Sequence, residues 1–499
     1  MPPRATAVLL ATLILAAPAW SASVSSAPPA PMPVPAGAKS APIRIGDIIG
    51  DKRDPTQAAY RKGWQLALEQ LNAEGGVLGR KLQVLTREDG GKPETAAKLA
   101  EELTQREKVV ALMGGASETT ASAISGYAGE RMVFFLATMA VGESLTWSRN
   151  NRYTYRLPAS VRMRTAAVAP KALGLRKPRW AVVHADDEGG RERAATFQSM
   201  MRAFQARIEF VAVQPLPAGA RALDEAVLKL ADAHPDALLL DLDGAALHRF
   251  VQAGQARQLF DGRAVVALDA ADPETRQALG AELPAGWLVT GYPLDLLPQP
   301  ASQRFVSAYR QRFDETPGAA ALLGYSALQS LATGLRLAQE ADGAMLADAF
   351  SGMKVDTPIG TFAYRPLDHQ STIGVYTGWY AGGAAVPAVI TINYQEGGRL
   401  QPPDHDVRRL RGESRARPKP AAAEAAKEAQ PKGEDGAGAA TPPSAGKPDA
   451  PAAQDPAATK AQPAAPNPAP ANGSAGKAPA WTPATSPALQ DWPQVAAPR

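Results

Sequence analysis

Cysteine is absent from all 499 residues. That absence rules out a disulfide framework, a thiolate nucleophile and any cysteine metal site. It also rules out the cysteine that a lipid-anchored exported protein carries after its leader. Histidine is scarce: His184, His234, His248, His369 and His405 are scattered along the chain. Neither an H-E-x-x-H zinc pattern nor a G-x-S-x-G nucleophile elbow occurs. Catalysis is therefore not the expected activity, and neither a metal nor a cofactor is expected. Net charge is only +4, and much of the excess sits in one stretch from Arg408 to Lys419. With no aromatic-basic surface pattern, a nucleic-acid partner is not expected.

The first residues, from Met1 to about Ser26, contain one arginine and an apolar run from Ala5 to Ala17. The run is too short to span a bilayer, and small residues follow it. This predicts a signal peptide over residues 1–22, cleaved around residues 19–23, then a linker over 23–41. No later apolar stretch reaches membrane-spanning length. The expected mature protein is soluble and periplasmic, not a lipoprotein. From residue 412 to 499 alanine and proline dominate, with scattered charges and no apolar periodicity. Such a segment cannot bury enough surface to offset its ordering entropy, so it reads as a disordered tail.

Three glycines interrupt the stretch from Asn72 to Leu82, which raises the question of a phosphate loop. The spacing, G-G-x-x-G, matches neither phosphate-binding pattern. A phosphate loop also follows a strand and opens a helix, whereas this run follows a helical pattern and leads into an alternating one. The expectation is a helix stop, with Gly75 or Gly76 in the left-handed position.

Between Ile43 and about Tyr394, strand and helix periodicities alternate. Strands are predicted at 43–49, 81–86, 109–114 and 132–137, with helices at 57–74, 93–106 and 119–130 between them. A second series begins after Tyr153. Its helices fall at 162–173, 191–205, 221–233 and 245–258, and its strands at 179–185, 208–214, 236–242, 264–269 and 287–292. Two further helices, 299–313 and 318–340, precede short strands within 360–366 and 371–380. The fold class is α/β: two doubly wound lobes with a cleft between them, where the loops at the carboxyl ends of both parallel sheets would meet a small ligand.

Those loops supply the candidate binding residues. The loop from Gly114 to Thr120 opens a helix, and its glycines allow close backbone approach. Ala116, Ser117 and Thr119 there suit a carboxylate or other small anion. Ser117 is also a natural helix cap, with Glu118 favouring the helix's positive end; the two roles are compatible. Beside it, Thr138, Met139 and Ala140 offer one hydroxyl, backbone groups and an apolar wall. In the second series Asp187 lies in the run from His184 to Gly190. Its three acids suit a metal or cation, or else form a solvated loop with one acid capping the next helix. Asp241 and Asp243 end another strand.

Several landmarks occur together: Gly63, Trp64 and Ala67, then the segment from Leu71 to Val84, Asp89, Lys92 to Glu94, and the Gly-Gly-Ala-Ser loop. Residues 179–190, 324–338 and 356–371 follow in order. The ensemble, over roughly residues 42–400, resembles the leucine/isoleucine/valine-binding family of type I periplasmic solute-binding proteins of ABC transporters. The resemblance implies two Rossmann-like lobes joined by three crossover strands. The N-terminal lobe would comprise 42–157 and 291–360, and the C-terminal lobe 158–290 and 361–400. It implies capture of an amino acid, amide or small carboxylate by hinge closure, and docking as a monomer on an inner-membrane permease. It also implies that Ala116, Ser117 and the segment Thr138–Ala140 hold a ligand carboxylate. Two departures accompany it: no aromatic precedes the glycines of the Asp187 loop, and the family's ammonium-pairing acid falls at about Ala245, with Asp241 and Asp243 nearby. The alternative to transport is a sensory or accessory protein that presents its ligand to a receptor or enzyme.

Overall fold

A computed structural model of the chain describes residues 41–216, 219–242, 244–280, 284–381 and 388–411. The predicted leader, most of the linker, the Pro/Ala-rich tail and Asp243 lie outside the described residues.

The first lobe begins β1 (Ile43–Ile49), α1 (Pro55–Ala73), β2 (Leu82–Glu88), α2 (Pro93–Gln105), β3 (Ala111–Gly114), α3 (Glu118–Arg131), β4 (Phe134–Ala137) and β5 (Thr154–Arg156). Its five strands are parallel in the order β2-β1-β3-β4-β5. Side chains alternate between the two faces, as the period of two demands. Ile43, Ile45, Met113 and Leu136 face one core, Ile48, Leu112 and Phe135 the other.

The chain then crosses into the second lobe. There follow α4 (Val161–Gly174), β6 (Arg179–His184), α5 (Glu188–Phe204), β7 (Glu209–Pro215), α6 (Ala220–Asp232), β8 (Ala237–Asp241), α7 (Gly244–Gln255), β9 (Ala264–Ala267), α8 (Pro273–Leu279) and β10 (Leu288–Gly291). It returns to cover the first lobe with α9 (Pro300–Phe313), α10 (Ala319–Ala338), α11 (Gly343–Phe350) and the hairpin β11 (Lys354–Thr357) and β12 (Gly360–Ala363). A third crossing leads to β13 (Val375–Tyr380), β14 (Val389–Gln395) and the short helices α12 (Gly397–Leu400) and α13 (Asp404–Leu410). The second sheet runs β14-β13-β10-β9-β8-β6-β7, with β13 and β14 antiparallel additions to a parallel block. Its faces are likewise both covered: Val183, Leu238 and Leu240 meet α6 and α7, while Val182, Leu239 and Val266 meet α4 and α5.

The glycine run after α1 is a helix stop. Asp54 caps the start, accepting from the Gln57 amide at 2.9 Å, with Pro55 at the first position. At the far end Gly75 and Gly76 take φ of 103° and 85°, and the Gly76 amide bonds back to the Leu71 carbonyl at 2.8 Å. α1 then packs on α10, whose surface is apolar nearly all round. The crossing is close: a Cβ on Gly63 would stand 2.0 Å from the Ala321 carbonyl oxygen, and one on Gly324 2.0 Å from that of Tyr60.

Seven elements have no counterpart in the periodicity reading: β5, α8, α11, β11, β14 and the short helices α12 and α13. β5 and β11 span three and four residues and α8 and α11 seven and eight, too short to display a period. β14 is one of the two edge strands of its sheet, and Ile390 there is half exposed instead of inward-facing.

Candidate functional site

Both parallel blocks share one strand order, with the first strand of each (β1, β6) flanked by its second and third. Such an arrangement leaves a crevice at the carboxyl ends of the strands where the winding reverses. In the first lobe the register Gly114↔Ala137 sets the loops after β3 and β4 side by side. Gly114 has φ 116°, and a Cβ there would lie 2.1 Å from the Ile48 carbonyl oxygen, so only glycine fits.

The candidate residues of this lobe lie on the two neighbouring loops, and Ser117 and Thr119 bond to each other. Ser117 caps α3 in a capping box with Thr120, and its hydroxyl lies 3.1 Å from that of exposed Thr119. Thr138 is fully buried, and both its amide and its hydroxyl donate to the Gly114 carbonyl, at 2.9 and 3.3 Å. Ala116 is half-buried near Gly50. Met139 packs against one core of the lobe and Ala140 against the other.

The residue that organises this corner is Glu118. Its Oε1 accepts from the Val141 and Gly142 amides, each at 2.5 Å, while its Oε2 is buried without a hydrogen-bond partner. A Cβ at Gly142 would meet Glu118 Oε2 at 2.6 Å and Glu192 Oε2 at 3.0 Å. Glu192 comes from α5 of the other lobe and accepts from the Glu143 amide at 3.4 Å, so this corner joins the lobes. Burial pushes the Glu192 carboxyl upward, helped by the charges of Glu118 and Glu143 and opposed by Arg156. Arg156 is almost wholly buried; it donates to Gln370 Oε1, the Gly142 carbonyl and, at 3.4 Å, Glu143.

The second lobe presents a different chemistry. Asp187 is exposed and caps α5, accepting from the Gly190 amide at 2.6 Å. Asp241 is not joined to the Glu118 corner. Its carboxylate takes both contacts of Arg193 Nε, at 2.7 and 3.0 Å, and burial still holds its pKa above the ordinary value. Beside it Arg164 of α4 pairs with Asp269 at 2.5 Å. Asp272 is buried and raised well above the usual carboxylate range by desolvation and by the charges of Glu274 and Asp269. Ala245 lies exposed in the first turn of α7. Among the described residues no group of three or more His, Asp or Glu is placed to hold a metal ion.

The sequence matches the periplasmic binding protein family over residues 45–381. The chain belongs to that family. It is 24% identical to the Leu/Ile/Val-binding protein of Escherichia coli (strain K12) over 333 residues, which are 65% of this chain and 87% of that one. A solute-binding protein of an ABC transporter from Rhodopseudomonas palustris BisB5, in complex with 3,4-dihydroxybenzoic acid, superposes with a TM-score of 0.62. That match covers 72% of this chain and 99% of the other at 20% identity. A branched-chain amino acid transporter substrate-binding protein from Streptococcus pneumoniae, in complex with isoleucine, gives 0.60 at 19% identity over 71% and 99% of the two chains. Likeness at such identities shows the periplasmic-binding-protein fold of two Rossmann-like lobes.

Sequence reasoning placed the loops and missed the charged residues that fill them. Glu118 stood out only as a favourable charge at a helix start. The two loops are expected side by side, but nothing in the sequence says that the Glu118 side chain crosses to Val141 and Gly142. Arg156, Arg164, Glu192, Asp269 and Asp272 carry no local signature.

Proposed function

We propose that this chain is the periplasmic solute-binding protein of an ABC importer, capturing an amino acid, amide or small carboxylate between its lobes. The observation that carries the reading is the corner where Glu192 of the second lobe meets the Glu118–Glu143 loops of the first, at the carboxyl ends of the parallel strands. Three chain crossings link the lobes, so one lobe can hinge over a ligand bound to the other, and ligand selects the closed state by its extra contacts there. Candidate contacts are Ala116, Ser117, Thr119, Thr138, Met139 and Ala140 from the first lobe, and Asp187, Asp241 and Asp243 from the second. The closed form would dock as a monomer on a permease, and no chemical step is assigned to it.

Thermal unfolding of the full chain against amino acids, amides and small carboxylates tests this. Ligand at a hundred times its dissociation constant adds about 2.7 kcal/mol to the folded state. A shift confined to one chemical class supports the reading, and no shift across the panel counts against it.

A further inference from the structure

The Val141 and Gly142 amides stand at the mouth of β4 beside the Gly114–Ser117 loop, where a ligand's anionic group would find paired N–H donors. Both donate to one oxygen of Glu118. We propose that Glu118 is a resident carboxylate that fills this donor pair, so that the cleft rejects ligands needing to place a carboxylate there and takes ligands that present N–H donors instead. This rests on the solute-binding reading above and narrows its substrate class.

Three observations support the assignment. Glu118 is the first residue of α3, where the aligned peptide dipoles favour negative charge, so the side chain is held in place before any ligand arrives. A carboxylate tethered this way competes at an effective concentration on the order of millimolar, enough to exclude a weakly bound free carboxylate. An incoming carboxylate would also join Glu118, Glu143 and Glu192. The nearby guanidinium of Arg156 is already bonded to Gln370, the Gly142 carbonyl and Glu143. On the other lobe Arg164 and Arg193 are paired with Asp269 and Asp241. What the corner holds is an acceptor without a partner: Glu118 Oε2 is buried beside Glu192 of the other lobe, and a ligand N–H would reach it as the lobes part. A ligand N–H would satisfy it, and leaving such an atom unpaired is costly.

The test has two arms on the full chain, using wild type, E118Q and E118A. In crystals soaked in acetate, wild type should keep Glu118 on the two amides, and E118A should hold an acetate oxygen there. E118Q, a neutral isostere that still accepts from both amides, serves as the folded control and should exclude acetate. A wild-type Glu118 turned into solvent or displaced by acetate, or an E118A donor pair left to water, overturns the proposal. In solution, the matched pairs leucine and leucinamide, and benzoate and benzamide, are compared by calorimetry. Wild type should favour the amide of a pair, and E118A should gain tenfold or more for the carboxylate. Carboxylate binding to wild type as tight as amide binding overturns the proposal. Silence of all four compounds with every variant would count against the solute-binding reading, while the crystals would still decide the role of Glu118.

Discussion

Arg156 and Gln370 tie the first crossing between the lobes to the third. Their backbones form an isolated parallel bridge, Arg156 Nε donates to Gln370 Oε1, and Gln370 Nε2 reaches the Pro158 carbonyl at 2.9 Å. His369, next in line, stacks on Tyr155 at 4.1 Å, and burial lowers its pKa. Removing the guanidinium leaves Gln370 Oε1, the Gly142 carbonyl and Glu143 Oε2 without this donor, while Glu143 Oε1 keeps the Arg162 amide. R156A should lower stability by about 3–5 kcal/mol in urea titrations. A loss below about 1 kcal/mol would show that the two crossings are not held by this side chain.

Asp47 lies fully buried at the centre of β1, accepting from Tyr60 at 3.3 Å and Thr86 at 3.1 Å. Desolvation pushes its pKa up from 3.8 to about 7, with Thr86, Tyr60, Arg61 and Trp64 opposing. The folded state therefore holds this proton more tightly than the unfolded chain. Its contribution is fully present below pH 4, declines as pH rises from about 4 to 7, and is lost above. D47N cannot ionise, so its stability relative to wild type should rise across that window and level off above it, by on the order of a few kcal/mol. Melting curves of both proteins at pH 4, 6 and 8 check this; parallel curves would refute it.

The α1–α10 crossing should tolerate nothing larger than hydrogen at Gly324. G324A would drive a methyl group into the Tyr60 carbonyl and cost about 1–3 kcal/mol or more. Gly126 is the control. It is exposed on α3 with nothing within 4 Å of an added Cβ, so G126A should stabilise by about 0.5–1 kcal/mol. Opposite signs in denaturant titration are the expected outcome; the same sign for both would defeat the packing account.

Asp241 depends on Arg193 for its charge compensation. R193A should cost about 3 kcal/mol near neutral pH, because it strands a buried carboxylate. The double variant R193A/D241N should recover most of that loss. If the double variant were as unstable as R193A alone, the damage would lie in packing and not in the unpaired charge.

The lobes were legible in the chain because parallel strands buried on both faces read as short apolar runs, and the helices between them carry clear stripes. Ile43–Ile49 and Ala237–Asp241 are of this kind. Very short elements hide, as β5 and α8 do, because three-residue or two-turn segments have no period to read. The loops of the candidate site were legible too, since they follow predicted strands. Their occupants were not. Glu118 and Val141 lie far apart in sequence, and nothing local in either says that a carboxylate crosses from one loop to fill the other. Likewise Arg156 finds Gln370 only after the chain has passed through the whole second lobe.

The glycine-lined contact between α1 and α10 also fixes an order of events. The parallel block of the second lobe is continuous, from α4 through β10, and can pack as it emerges. The first lobe cannot. Its sheet is finished by β5, but the face that carries Ile45, Met113 and Leu136 is covered only in part, by α1, until α9 and α10 arrive after β10. Through that interval a chain made from its N-terminus holds a completed sheet with one apolar side only partly covered, the kind of surface that aggregates or recruits chaperones. The younger half of the sequence thus completes the shelter of the older half, and a chain that stops short of Ala319 would leave its earliest strands with only part of their roof.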